Sequence, residues 1–175
     1  MAEGENNAAG NGQAGQAEQA GEENQQQFFV QKVYLKDLSF ESPQAPDIFT
    51  RDDWKPEINV QVGNNATRLS DHTFETELTI TVTATHDEKT IYLVEVQYAG
   101  VFTIKGFDDA TRRQLLGAYC PTLIFPYIRE TVGDLVMKGG FPQMVLQPIN
   151  FEALYAQHEQ QRAAQAEGAG DARPN

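Results

Sequence analysis

The stretch FETELTITVTATH, residues 74–86, alternates apolar and polar side chains with a period of two. Phe74, Leu78, Ile80, Val82 and Ala84 fall on one side, and Glu75, Glu77, Thr79, Thr81, Thr83 and Thr85 on the other. A pleated strand places successive side chains on opposite faces, and Thr, Ile and Val favour it, so the segment predicts a strand with one buried and one wet face. HDEK, 86–89, reads as a short turn into TIYLVEVQYAGVFTIKG, the return strand of a hairpin. There Tyr92, Val94, Val96 and Tyr98 share one face; Ile91 and Leu93 lie opposite, followed by Glu95 and Gln97. A strand apolar on both faces implies two covers, one from the chain's own helix and one from another subunit.

Two more strands precede this hairpin. FFVQKVYLKDLSFE, 28–41, is rich in β-formers on both parities and reads as a strand buried on both faces. EINVQV, 57–62, alternates and has one wet face, with GNNATRLSDH as a connection. Four strands in hairpin-like succession imply an antiparallel sheet. Between the first two, SPQAPDIFTRDDWKPE, 42–57, carries prolines that interrupt any period and reads as a long ordered loop. Its Ile48, Phe49 and Trp54 either plug the loop onto the core or line an apolar groove.

Helical character begins at FDDATRRQLLGAYC, with Asp108 or Asp109 as cap and Leu115, Leu116 and Tyr119 as an apolar stripe. Pro121 suits the first turn of a second helix whose Leu123, Ile124, Tyr127, Ile128, Thr131, Leu135 and Val136 recur at steps of three and four. Pro126 predicts a kink or a displaced start, and Gly139-Gly140 a stop. After an extended FPQMVLQPI, Asn150 caps a final amphipathic helix, FEALYAQHEQQ, with Phe151, Leu154 and Tyr155 inward.

Residues 1–27 contain no aromatic, no β-branched residue and no base, so nothing offsets their ordering entropy, and they predict a disordered tail. Residues 158–175 predict a flexible C-terminal tail in which Ala and Gln extend the helix for a turn or two. One domain, 28–157, lies between them. The N-terminus lacks the basic and apolar parts of a signal peptide, and no apolar run approaches the roughly 18 residues of a span, so a cytoplasmic protein without membrane insertion is expected. Formal net charge is −12, and residues 28–157 carry 17 acids and 11 bases, −6 by difference. That balance argues against nucleic acid and allows a basic protein partner or client.

Little in the chain suggests chemistry. The single Cys120 would need a positioned base to act as a nucleophile, yet His72 sits in a polar connection, His86 at a turn and His158 where the last helix frays. Cys120 therefore reads as packed and inert. One Cys and scattered His give no metal-ligand spacing, and no Gly-rich phosphate loop is present, so no enzyme, metal or cofactor is expected. An acidic body, an aromatic-bearing loop and a doubly apolar strand point instead to a binding protein that oligomerises.

The strings KDLSFESPQAPDIF, EVQYAGVFTI, LLGAYCPTLIFPYIRE and GGFPQMVLQPINFEALY resemble the SecB family of bacterial export chaperones, in order and from about Phe28 to Tyr155. The resemblance implies an α+β fold, a four-stranded antiparallel sheet with two main helices on one face, assembled as a homotetramer, a dimer of dimers. It implies an ATP-independent cytosolic holdase that keeps unfolded precursor proteins translocation-competent and delivers them to SecA, the motor of the Sec pathway. The alternative within the family is a chaperone dedicated to one partner, such as a toxin–antitoxin pair. By the same resemblance, Asp37, Glu41, Leu93 and Glu95 receive a basic, zinc-bearing segment of SecA. Tyr92, Val94, Val96, Tyr98 and Cys120 then belong to the subunit interface. A client groove between the loop and the final helix is expected at Phe40, Phe49, Trp54, Phe151 and Leu154.

Overall fold

A computed structural model describes residues 25–51 and 55–170, the last five of these by backbone alone. Trp54 lies outside the described residues, as do most of the expected N-terminal tail and the chain beyond 170. Four strands, β1 (Gln27–Glu41), β2 (Glu57–Arg68), β3 (Thr73–His86) and β4 (Lys89–Lys105), form one antiparallel sheet. Their order is β1-β4-β3-β2, so β1 pairs with β4 rather than with β2 as simple succession would have it. The proline-rich connection is too long and too irregular for a hairpin turn. It crosses instead to the far edge, three strand spacings or about 14 Å away. A 3₁₀ turn, Asp47–Thr50, pins it midway by burying Ile48.

β3 alternates as expected, and Thr76 joins Phe74, Leu78, Ile80, Val82 and Ala84 on the buried side. Its turn into β4 has Asp87 and Glu88 at φ of 49° and 62°, the two left-handed residues that a tight two-residue hairpin needs to match the strand twist. β2 continues to Arg68, so GNNATR, whose residues favour turns, is strand here. Pairing with β3 overrides local preference. β1 differs from expectation in burial. It is a largely exposed edge strand, with irregularities between Val30 and Lys32 and between Leu35 and Asp37.

The helical layer is one near-continuous run, α1 (Asp109–Gln114), a π turn (Leu115–Tyr119) and α2 (Cys120–Lys138), followed by α3 (Phe151–Gly170). Asp108 accepts from the Thr111 amide at 2.9 Å and is the cap. No break falls at Pro121. The Cys120 amide reaches back five residues to Leu115, and this π turn re-phases the apolar stripe. Pro121 donates no hydrogen bond to the preceding turn, and the Asn64 side chain of β2 donates to the Leu116 and Gly117 carbonyls at 3.5 and 3.3 Å. α2 runs unbroken through Pro126 and lays Cys120, Ile124, Ile128, Val132 and Val136 on the sheet. It ends in a Schellman motif: Phe141 N–H donates to Val136 at 3.2 Å, Gly140 N–H to Met137 at 3.0 Å, and Gly140 takes φ 85°. Asn150 caps α3, accepting from the Ala153 amide at 2.9 Å. α3 passes the expected 157 boundary and continues to Gly170, through a stretch of Ala, Gln and Arg that are good helix formers.

Candidate functional site

The helix-free face of the sheet gathers the acidic residues. Residues directly opposite in an antiparallel pair share a face, so the register fixes who stands with whom. Glu41 faces Leu93, Ser39 faces Glu95 and Asp37 faces Gln97, and β3 continues the rows with Thr83, Thr81 and Thr79. Asp37, Glu41, Leu93 and Glu95 are thus brought together at one end of the exposed face. Thr81 Oγ1 donates to Glu95 at 3.3 Å, and none of the three carboxylates has a cation within 4 Å among the described residues. Strict alternation from Leu35 would carry Asp37 to the helix side. The irregularity at Lys36 adds one residue and turns Asp37 outward.

The other end of this face is neutralised. Lys36 Nζ lies 2.7 Å from Glu77 and 3.0 Å from Glu75, whose carboxylate also accepts from the Tyr34 hydroxyl. The Tyr34 bond, helped by Lys36, lowers the Glu75 pKa and in return raises that of Tyr34. Hydrogen bonds to Glu77 and Glu75 hold the Lys36 ammonium above its ordinary pKa.

The expected subunit-interface set lies mostly inside the chain's own core. Tyr92 is buried, Val94, Val96 and Cys120 are 0% exposed, and all four pack beneath the chain's own helices, so they have no surface to offer a second chain. α2 is the cover on that side of β4, and the opposite side carries the part-exposed Leu93, Glu95 and Gln97. Only Tyr98 of the set is half-buried, bonded to Thr131 Oγ1 at 3.0 Å beside the exposed Tyr127 ring. Burial pushes the Cys120 thiol pKa up to about 12, against a small opposing effect from neighbouring Thr76. The Thr76 hydroxyl is itself fully buried and makes no hydrogen bond of normal geometry. A thiol in that setting is not a nucleophile.

The expected groove residues separate into two places. Phe40 and Phe49 meet in an aromatic cluster with Tyr92 and Phe141, ring centroids 4.8–6.4 Å apart, and Phe49 stays 51% exposed. Gly139 makes this packing possible, since a Cβ there would lie 2.1 Å from the Phe40 ring. Phe151 sits elsewhere, buried at the start of α3 with its ring 5.8 Å from Phe125. With Leu154, Tyr155, Val60 and Val62 it lines a cleft of about 270 Å³ between α3 and the β2 edge. A larger cleft of about 580 Å³ between α2 and the extended 141–149 segment, lined by Phe125, Met137, Met144 and Val145 among others, was not legible from the sequence. It forms only because that segment folds back along α2.

Among the described residues no group of three or more His, Cys, Asp or Glu could hold a metal, and no helix is long and apolar enough to cross a membrane. An open acidic sheet face with apolar clefts on the helical side suits a protein that binds polypeptide surfaces. The particular family follows from comparison: residues 21–162 match the family model described as preprotein translocase subunit SecB, and the chain belongs to the SecB family of protein-export chaperones. It is 58% identical over 153 residues to the protein-export protein SecB of Alcanivorax borkumensis, covering 86% of this chain and 97% of that one. It is 54% identical over 166 residues to that of Alkalilimnicola ehrlichii, covering 92% and 87%. The fold is similar to a SecB-like chaperone of Mycobacterium tuberculosis solved with a peptide from an antitoxin. That match has a TM-score of 0.59 at 15% identity and covers 76% of this chain and 95% of that one.

Proposed function

We propose that the protein is a cytosolic, ATP-independent holdase that binds unfolded precursor proteins along its apolar clefts and hands them to SecA through the acidic end of the sheet. The observation that carries this is the register: Asp37, Glu41, Leu93 and Glu95 come from two strands yet stand in adjacent rows on an open face, the three carboxylates without a cation within 4 Å among the described residues. Such a face attracts a basic segment electrostatically and lets Leu93 supply apolar contact. The aromatic cluster with exposed Phe49, and the α3–β2 cleft with Leu154, are the surfaces we assign to clients. Each large client side chain buried stabilises a complex by about 1.5–3 kcal/mol, so several weak subsites give tight, sequence-tolerant binding. Residues 28–157 form the chaperone domain in this reading.

Assembly as a dimer of dimers has support in surface left uncovered. Register places Val30, Leu35 and Leu38 of edge strand β1 on the helix side, where they remain 37–42% exposed. Tyr98 and Tyr127 adjoin them, and we assign this patch to the subunit contact in place of Val94, Val96 and Cys120.

The test is binding of purified SecA to the parent and to an Asp37→Lys/Glu41→Lys/Glu95→Lys variant. Reversal should abolish SecA binding while leaving the affinity for an unfolded client intact. Unchanged SecA affinity would favour the reading as a chaperone dedicated to another partner, such as a toxin–antitoxin pair.

A further inference from the structure

The open sheet face is divided by charge, and one side chain makes the division. At one end of β1 and β4 stand Asp37, Glu41 and Glu95, without a cation within 4 Å among the described residues; towards the other end of the face, on the neighbouring strand β3, stand Glu75 and Glu77, both joined to Lys36. Along β3, Glu77 lies four residues from Thr81, the neighbour of Glu95, or about 13 Å at 3.3 Å per residue, and Glu75 lies about 20 Å away. Lys36, at the irregularity between Leu35 and Asp37, stands between the two groups. Lys32, opposite Val101 and in one row with Glu75, adds a second cation to that end. In these rows Glu75 and Glu77 stand with two bases, Lys36 and Lys32, whereas Asp37, Glu41 and Glu95 have no base within 4 Å among the described residues.

An extended peptide presents same-side residues every two positions, about 6.6 Å apart, so a Lys- or Arg-rich segment docked at Glu95 could run on to Glu77 and Glu75 if those carboxylates were free. They are not, because Lys36 already occupies both, and its ammonium lies on the path. We propose that Lys36 is a specificity-determining residue of this face: by holding Glu75 and Glu77 it confines a basic partner segment to the Asp37–Glu41–Glu95 end and fixes the length of basic sequence the site accepts. This inference rests on the docking role proposed above.

The test uses the full-length protein and two oligolysine probes without apolar side chains, one about twelve residues long and spanning the whole acidic row, one about five residues long and covering only the Glu41–Asp37 end. Lys36→Gln should raise affinity for the long probe at low salt by about threefold or more, the gain of two part-buried carboxylates released from their ion pairs while Glu75 keeps its Tyr34 bond. It should also steepen the salt dependence and leave the short probe nearly unchanged. Lys36→Arg should behave as the parent. Glu75→Gln/Glu77→Gln added to Lys36→Gln should cancel the gain. Lys138→Gln, which removes the same unit charge from the α2 ion pair with Asp134, should give no length-dependent gain.

Equal gains for both probes, or a gain that survives the Glu75→Gln/Glu77→Gln changes, would overturn the inference, since the effect would then be one of net charge. No gain in Lys36→Gln, with binding lost in Asp37→Asn/Glu41→Gln/Glu95→Gln, would overturn the inference and leave the docking site standing. Long-probe binding that the triple variant keeps in full would overturn the docking reading itself.

Discussion

Replacing Cys120 by alanine should make the protein less sensitive to alkaline pH, by an amount the structure sets. In the fold the thiol pKa stands at about 12 against an ordinary 9.0, because burial disfavours the thiolate. Below pH 9 both folded and unfolded chains keep the proton, and the group adds no pH dependence. Between pH 9 and 12 the unfolded chain releases it while the folded chain does not, so ionisation favours unfolding and stability falls as pH rises. The loss reaches about 1.4 kcal/mol at pH 10 and grows by a similar amount per unit towards pH 12. Urea unfolding of parent and Cys120→Ala at pH 8, 9 and 10, at one protein concentration, reads this as a difference in slope that is independent of the constant cost of the substitution. At neutral pH the same shift lowers the thiolate fraction about a thousandfold, so a disulfide reagent should modify Cys120 slowly in the native protein and rapidly in urea. Equal pH slopes for parent and variant, or native modification at the unfolded rate, would refute the burial argument and reopen a chemical role for this residue.

Other consequences are more local. Gly139→Ala forces the Phe40 ring away from Tyr92 and Phe141 and should cost about 1–3 kcal/mol in urea unfolding; a cost near zero would mean that the cluster repacks freely. Asn150→Ala removes the α3 cap and should cost about 1 kcal/mol, and Asn150→Asp should restore most of it. Phe49→Asp places a charge on the half-exposed edge of the aromatic cluster and should weaken binding of an unfolded client about tenfold or more, with little change in thermal midpoint.

The parts of the fold that the sequence announced are those where a local pattern and a tertiary demand coincide. The period-two run of β3 specifies its buried face unaided, and Asp108, Asn150 and Gly139-Gly140 mark helix ends through backbone groups that need partners close in sequence. What escaped depends on contacts far along the chain. Strand order is invisible because a long loop can return to either edge, and GNNATR reads as turn until β3 supplies its hydrogen bonds. The π turn hides because apolar residues on either side of it are each in phase locally. On the open face, family resemblance led to the expectation that Asp37, Glu41, Leu93 and Glu95 act together, but alternation alone would set Asp37 beside Leu35 on the helical side; an extra residue at Lys36 decides otherwise. The same limit applies to Val94 and Val96, which the chain's own helix covers. An apolar face looks identical in sequence whether a subunit or the chain's own helix covers it.

Recognition of the unfolded state of other proteins by this chain can be read by light scattering after size-exclusion chromatography, alone and with a reduced, unfolded client. The prediction is an assembly with the mass of four chains that gains one unfolded client and ignores the same client when folded. A single chain that binds neither form, or an assembly that binds both alike, would contradict it.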